Sequence, residues 1–220
     1  MAPRFVRSSP MQAALTAVAL YALPLLGSPA LRAAPPWLGA AAAWLLLVSQ
    51  PAPARGALWS TRSRDGLSAL GILASMIGAQ VAAVVEYRLT GGLLRIGTFA
   101  SLLLGGALVI AGFALRLWSI ETLGRFFTAT VSVQDEHRVV RTGPYARVRH
   151  PSYAGALIIA IGMLVLLHSA SGLALLAIAV VPAYVHRVRV EESVLIEMLG
   201  DGYVRYRQQV PALVPALRAR

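Results

Sequence analysis

Two groups of polar residues stand out in this chain because almost everything around them is apolar. The first is the sequence His150-Pro151-Ser152-Tyr153, which ends a polar segment of about thirty residues and opens an apolar run. The second is Arg187 followed by the adjacent carboxylates Glu191 and Glu192, where the next apolar run ends. Ionisable groups at the edge of apolar segments usually face a partner or a cavity. Guanidinium, carboxylate and aromatic groups in these places are typical of a polar binding site.

Each group also has a plainer interpretation. His150 can cap a helix and Tyr153 can anchor it at the membrane interface, while Arg187 and Glu191 lie one helical turn apart and can pair with each other. The two groups converge, however, because the apolar hairpin 152–187 returns the chain to the membrane face that it left. We therefore expect Arg187 and Glu191 to lie beside Tyr145, His150 and Tyr153. A cationic ligand with an anionic end and an adenine ring would find complementary groups there.

The composition places these residues in a membrane protein. Of 220 residues, 57% are hydrophobic and only 13% are charged, with a mean hydropathy of +0.67, which excludes a soluble domain. The net charge of +11 comes from arginine alone, and in so apolar a chain it indicates the lipid surface as partner and not nucleic acid. The absence of cysteine and of an H-E-x-x-H motif predicts that there is no metal site.

The apolar runs predict an all-α, polytopic transmembrane bundle of five or six spans. They cover residues 10–26, 36–50, 66–87, 93–119, 152–168 and 171–187. The first run follows two arginines, so a cleaved signal peptide is the alternative for that segment. Residues 1–119 are predicted to form a scaffold of about four spans. Residues 120–220 are predicted to form the catalytic region, with hairpin 152–187 and an interfacial C-terminal tail.

The arginines predict the orientation. With six spans and the N-terminus inside, 17 of the 20 arginines fall on the side that carries the polar segments 120–151 and 188–220. Basic residues concentrate on the cytoplasmic side of membrane proteins. The sequence therefore predicts an integral protein of a bacterial inner membrane, with a cytosolic pocket formed by its C-terminal half.

The motifs in this half resemble those of the isoprenylcysteine carboxyl methyltransferase family, in its prokaryotic type. This family consists of integral-membrane enzymes that use S-adenosylmethionine. The resemblance covers about 120–215, with the motifs in order and at similar spacing. They are His137-Arg138-Val139-Val140, Thr142-Gly143-Pro144-Tyr145, Arg149-His150-Pro151-Ser152-Tyr153-Ala154-Gly155, Arg187 with Glu191-Glu192 and Leu195, and Gly200 with Tyr203 and Tyr206.

The resemblance implies roles for individual residues. Arg187 faces the substrate carboxylate, and together with Glu191 it forms the implied catalytic pair. The implied contacts to the cofactor S-adenosylmethionine are Gln134, His137, Arg138, Val139, Val140, Tyr145, His150, Pro151, Ser152, Tyr153, Glu191 and Glu192. The implied reaction is methyl transfer to a carboxylate, or another small nucleophile, of an apolar or lipidated small molecule that partitions into the bilayer. A carboxylate is already ionised at neutral pH, so this reaction needs no general base.

Three alternatives stay open at this point. A phospholipid, amine or thiol methyltransferase would use the same donor. An NADPH-dependent reductase of the sterol-reductase type shares the architecture and a related motif. A small transporter or structural bundle is disfavoured, because the spans contain almost no ionisable residues near their middle. The sequence predicts no oligomeric state.

Overall fold

The structure is a computed structural model that describes residues 9–49, 66–127 and 139–215. Its regular secondary structure is entirely helical within these ranges, which confirms the predicted all-α class. The helices are α1 (Pro10–Ala22), α2 (Ala34–Val48), α3 (Gly66–Thr90), α4 (Thr98–Leu123), α5 (Pro151–Leu166), α6 (Ala170–Leu175), α7 (Val181–Leu199) and α8 (Asp201–Gln209). Each of the six predicted apolar runs coincides with a helix or a helical pair. The last one continues to Leu199, beyond its expected end at 187.

Three of the described helical segments are long and apolar enough to cross a bilayer. These are Ser68–Thr90, Thr98–Leu123 and Ala170–Leu199; the remaining apolar helices, Pro10–Leu25, Ala34–Val48 and Pro151–Leu166, are shorter. The protein is therefore an integral membrane protein, and five or six spans remain a prediction. Helices from both predicted regions share one hydrophobic core, to which Ala17, Ala43, Ala83, Ile159 and Tyr184 contribute.

Helices α4 and α5 approach each other through glycines spaced seven residues apart on each helix. Gly105 faces Gly162 and Gly112 faces Gly155. A β-carbon on any of the four would lie 2.7 to 2.8 Å from the partner's carbonyl oxygen, which is closer than atoms can pack. Small residues let transmembrane helices approach at backbone distance. This contact places the first turn of α5 directly against the last turns of α4.

The second half of the hairpin contains a π-helical turn, Leu176–Val180, between α6 and α7. Pro182 follows immediately and has no N–H with which to continue the α-helical pattern. A π turn adds a residue to one turn of the helix, so the face that α7 presents is rotated relative to α6. As a result, Tyr184, Arg187 and Val188 are buried against the bundle.

The carboxylate of Glu86 fixes the end of the bundle where the hairpin turns. It accepts hydrogen bonds from the backbone N–H groups of Leu93, Ala170 and Ser171 and from the Ser169 hydroxyl, at 2.8 to 3.0 Å. Glu86 thereby caps the start of α6. The polar residues singled out in the sequence lie at the opposite end, where Arg187 reaches Ser68 at the start of α3.

The glycine contact gives the first prediction. Gly112→Ala should lower the free energy of unfolding by about 1–3 kcal/mol, because its methyl group has no space beside the Gly155 carbonyl. Thermal unfolding of the detergent-solubilised protein measures this effect. Gly106→Ala is the matched control in the same helix, because its β-carbon would meet no atom within 4 Å. Equal stability of the two variants would contradict the close approach.

Candidate active site

A cavity of about 400 Å³ lies at the end of the bundle where the chain leaves and re-enters the hairpin. One part of its wall is polar and aromatic and comes from α4, the first turn of α5, α7 and α8. The other part is apolar and comes from α1, α2 and α3. One continuous space thus joins a polar site to an apolar arm.

Tyr153 connects Arg187 and Glu191 in the polar part of the cavity. Its hydroxyl donates to Glu191 Oε2 at 2.7 Å and accepts from Arg187 Nε at 3.3 Å. The ring lies parallel to that of His150, with centroids 5.6 Å apart, and meets the edge of Tyr184. These contacts fix one carboxylate oxygen of Glu191, and no described residue donates a hydrogen bond to the other.

Glu192 points away from the cavity into a cluster of basic residues. Its carboxylate is bound by Arg149 Nε at 2.7 Å, His150 Nε2 at 3.1 Å and Arg207 Nε at 3.1 Å. Neighbouring residues on a helix are separated by about 100° around the axis, so adjacent glutamates face different surroundings. Glu192 joins α5, α7 and α8, whereas Glu191 faces the site.

The C-terminal tail strengthens the same junction. The N–H groups of Arg149 and His150 donate to the carbonyls of Pro211 and Ala212, both at 2.9 Å. The Arg149 guanidinium also donates to the carbonyls of Arg207 and Val210. The residues between helix α8 and the end of the described chain therefore hold the start of α5 in place.

Three tyrosines form the aromatic wall at this end of the cavity. The Tyr206 hydroxyl donates to the carbonyl of Tyr145 at 2.7 Å, and the rings of Tyr203 and Tyr206 meet edge to face. Burial is the main cause that raises the pKa of Tyr206 to about 12, and it also raises the pKa values of Tyr145 and Tyr203. All three phenols are therefore neutral at pH 7 and provide aromatic faces and hydrogen-bond donors, not charge.

Arg116 is the residue of this site that the sequence analysis missed. It is 2% exposed, lines the cavity and donates through Nη1 to the Ser152 hydroxyl at 2.7 Å and to its carbonyl at 3.3 Å. Its Nε reaches the Ser49 hydroxyl at 3.3 Å, and its guanidinium lies 5.9 Å from the Phe127 ring centroid. Among the described residues it has no carboxylate partner. An arginine inside an apolar span was the signal available in the sequence.

The structure brings most of the predicted site residues together. Those that line the cavity are Val139, Val140, Tyr145, His150, Ser152, Tyr153, Arg187 and Glu191. Pro151 is buried in the first turn of α5, and Glu192 lies behind the wall in its basic cluster. Gln134, His137 and Arg138 lie outside the described residues.

Comparison with known proteins agrees with this arrangement. Residues 104–197, which contain most of α4, all of α5 and most of the polar part of the site, match the family model described as the isoprenylcysteine carboxyl methyltransferase (ICMT) family. The ICMT family model thus matches 94 of the 220 residues, less than half of the chain. The family resemblance of the sequence motifs is thereby confirmed.

The matches to individual ICMT relatives cover the same half. The chain is 37% identical over 113 residues to protein-S-isoprenylcysteine O-methyltransferase B of Arabidopsis thaliana, covering 50% of this chain and 57% of that protein. It is 36% identical over 114 residues to the Saccharomyces cerevisiae enzyme, covering 51% of this chain and 48% of that protein. The chain thus spans about half the length of these relatives.

The fold similarity extends further than the sequence similarity. The structure of the eukaryotic intramembrane Ras methyltransferase ICMT aligns with 93% of this chain and 75% of its own, with a TM-score of 0.56 and 21% sequence identity. The N-terminal helices, for which the sequence shows no particular resemblance, thus also adopt an ICMT-like arrangement.

The basic cluster around Glu192 gives the second prediction. Glu192→Ala should lower the free energy of unfolding by about 3 kcal/mol, because Arg149 and His150 lose a buried partner. Thermal unfolding in detergent measures the change. Glu121→Ala, at an exposed position of α4, is the matched control and should change stability by less than about 0.5 kcal/mol. A loss as small as that of the control would show that Glu192 does not hold the junction.

Proposed function

We propose that the protein is an S-adenosylmethionine-dependent carboxyl methyltransferase that acts on an apolar substrate from the bilayer, as its relatives' names indicate for isoprenylcysteine. The observation that carries the proposal is the single cavity that joins the Glu191–Tyr153–Arg187 group to an apolar arm. A polar methyl donor and an apolar acceptor can meet only where a polar site and an apolar site open into each other.

The residues of the polar part fit S-adenosylmethionine. Glu191 offers one carboxylate oxygen without a partner among the described residues, which suits the ammonium group of an amino acid. Val139 and Val140 offer apolar contact next to the tyrosine wall, which suits an adenine ring. When bound there, S-adenosylmethionine would supply an electrophilic methyl group.

Two buried guanidinium groups are suited to the acceptor. Arg187 is 5% exposed and Arg116 is 2% exposed, and both line the cavity. A buried cation without a carboxylate partner is costly, and the carboxylate of an acceptor would offset that cost at Arg116. A planar guanidinium can also orient a carboxylate through paired hydrogen bonds.

The protein's part in the reaction is then to hold the donor and the acceptor in position and to exclude water. The acceptor carboxylate is ionised at neutral pH, so no residue has to remove a proton from it. Holding two reactants in a reactive geometry can contribute about 7–11 kcal/mol to the rate. The aromatic wall and the tail held by Arg149 border the polar part, where they would limit the access of water to the reactants.

The arrangement of arginines supports a cytosolic position for the site. Arg141, Arg147, Arg149, Arg205 and Arg207 surround this end of the bundle, whereas Arg88 lies at the other end beside Pro24. Basic residues favour the cytoplasmic face. We therefore place the donor site at the cytosolic side of a bacterial inner membrane, with the apolar arm inside the bilayer.

Cofactor binding gives the third prediction. S-adenosylhomocysteine should bind the detergent-purified protein in calorimetric titration, and NADPH should not. Glu191→Gln should weaken binding about tenfold to a hundredfold, because a hydrogen bond to a charged group is lost. Ser193→Ala is the control, since the Ser193 hydroxyl bonds only within its own helix. Binding of NADPH without the homocysteine compound would favour a reductase instead.

The role assigned to Arg116 gives the fourth prediction. With N-acetyl-S-farnesylcysteine as acceptor, Arg116→Leu should lower kcat/KM for methyl transfer about tenfold to a hundredfold, because the acceptor carboxylate loses a charged donor. Affinity for S-adenosylhomocysteine should stay within about twofold. Arg95→Leu, at an exposed position near the other end, is the control. Equal losses in donor affinity and turnover would show that Arg116 serves the donor or the fold and not the acceptor.

A further inference from the structure

Gln80 is an amide in the middle of an otherwise apolar helix face. It lies near the centre of the span Ser68–Thr90 and is 4% exposed. Its Oε1 accepts a hydrogen bond of 2.7 Å from the hydroxyl of Tyr21 in α1. Its Nε2 is buried and has no hydrogen-bond partner among the described residues.

An unpaired amide donor is costly at this depth, where no bulk water can satisfy it. The Tyr21 hydroxyl serves Oε1, and Nε2, which needs an acceptor, has no hydrogen-bond partner among the described residues. The tyrosine ring is also fixed: a β-carbon on Gly39 of α2 would lie 2.5 Å from it. The pair with Tyr21 therefore orients the Gln80 amide and leaves its N–H groups without a partner among the described residues.

Gln80 lines the apolar arm of the cavity. One face of α3 provides that wall over three turns, with Ala69, Ile72, Met76 and Gln80 at successive positions. The start of this face is marked by Ser68, whose hydroxyl accepts from Arg187 Nη1 at 3.1 Å. Twelve residues of helix separate Ser68 from Gln80, which corresponds to ~18 Å along the arm.

We infer that Gln80 selects acceptors that carry an uncharged oxygen, such as a hydroxyl or carbonyl, on their apolar chain, with the carboxylate at the end of the cavity where Arg116 and Arg187 lie and the oxygen ~18 Å further along α3 from Ser68. This inference rests on the proposed function, since it requires the arm to hold the acceptor. The oxygen is uncharged because Gln80 is neutral and lies among apolar residues, where a charge would have no partner. The expected acceptor is thus an oxygenated isoprenoid-type or acyl chain and not a plain hydrocarbon.

The test compares two acceptors that differ only in this oxygen. They are N-acetyl-S-farnesylcysteine and its analogue with a hydroxyl on the terminal isoprene unit, and binding is read from the ligand-induced rise in unfolding temperature over a concentration series. The unmodified protein should bind the hydroxylated analogue about fivefold more tightly, the value of one neutral hydrogen bond. Gln80→Leu should reverse the preference, because the buried hydroxyl then has no partner.

Two variants keep the result interpretable. Gln80→Met preserves the length of the side chain and should also lose the preference, so a folding defect in one variant does not decide the outcome. Ser75→Ala removes a hydroxyl from the same helix at a position that is not part of the cavity wall, where it donates to the Ile72 carbonyl, and should leave the preference unchanged.

The failure of this inference can be told apart from that of the proposed function. If S-adenosylhomocysteine binds and the farnesylated compound is methylated, but the hydroxyl gives no preference or Gln80→Leu retains it, only the role of Gln80 is overturned. In that case the amide of Gln80 binds a water molecule or serves the stability of the fold. If neither analogue binds, both the acceptor arm and the role of Gln80 are overturned.

Discussion

The backbone contact between α4 and α5 is the constraint on which the site depends. Gly112 and Gly155 let the two helices approach so closely that Arg116, one turn further along α4, reaches the hydroxyl and carbonyl of Ser152. The same approach fixes the first turn of α5, which carries His150 and Tyr153. A larger residue at either glycine would therefore move a buried cation and the start of α5 together. The small residues are therefore required for the position of Arg116 as well as for helix packing.

Electrostatics at the site follow from how the two adjacent glutamates are partnered. Glu192 is paired with Arg149 and Arg207 and hydrogen-bonded to His150, so it stabilises the junction but has little left to offer a ligand. Among the residues that the structure describes, Glu191 accepts a hydrogen bond only from the neutral Tyr153 hydroxyl, so its charge stays available to the cavity. In the described part of the chain, Arg116 contacts, in contrast, neutral groups only. Available charges of opposite sign in one cavity suit two ligands, or two ends of one ligand, that carry complementary charges.

The sequence predicted the parts of this structure that depend on local pattern. Apolar runs located six helices, and the spacing of Tyr153, Arg187 and Glu191 across a hairpin predicted that they would meet, because the chain must return to the face that it left. It predicted neither the length of the last helix nor the separation of the two glutamates. Arg187 and Glu192 end an apolar run, but their buried partners let the helix continue to Leu199. Those partners come from α5 and α8, which no local pattern brings to α7.

Arg116 and Gln80 were missed for a related reason. Each is a single polar residue in an apolar helix, and a polar residue in a span has meaning only through what lies opposite. For Arg116 the opposite groups are Ser152 and Phe127, and for Gln80 it is Tyr21. In both cases the partners satisfy part of the side chain's hydrogen-bonding capacity and leave the rest beside the cavity. A helix that needed these residues only for folding would be more stable with apolar side chains in their place. A ligand in the cavity would complete both sets of contacts at once.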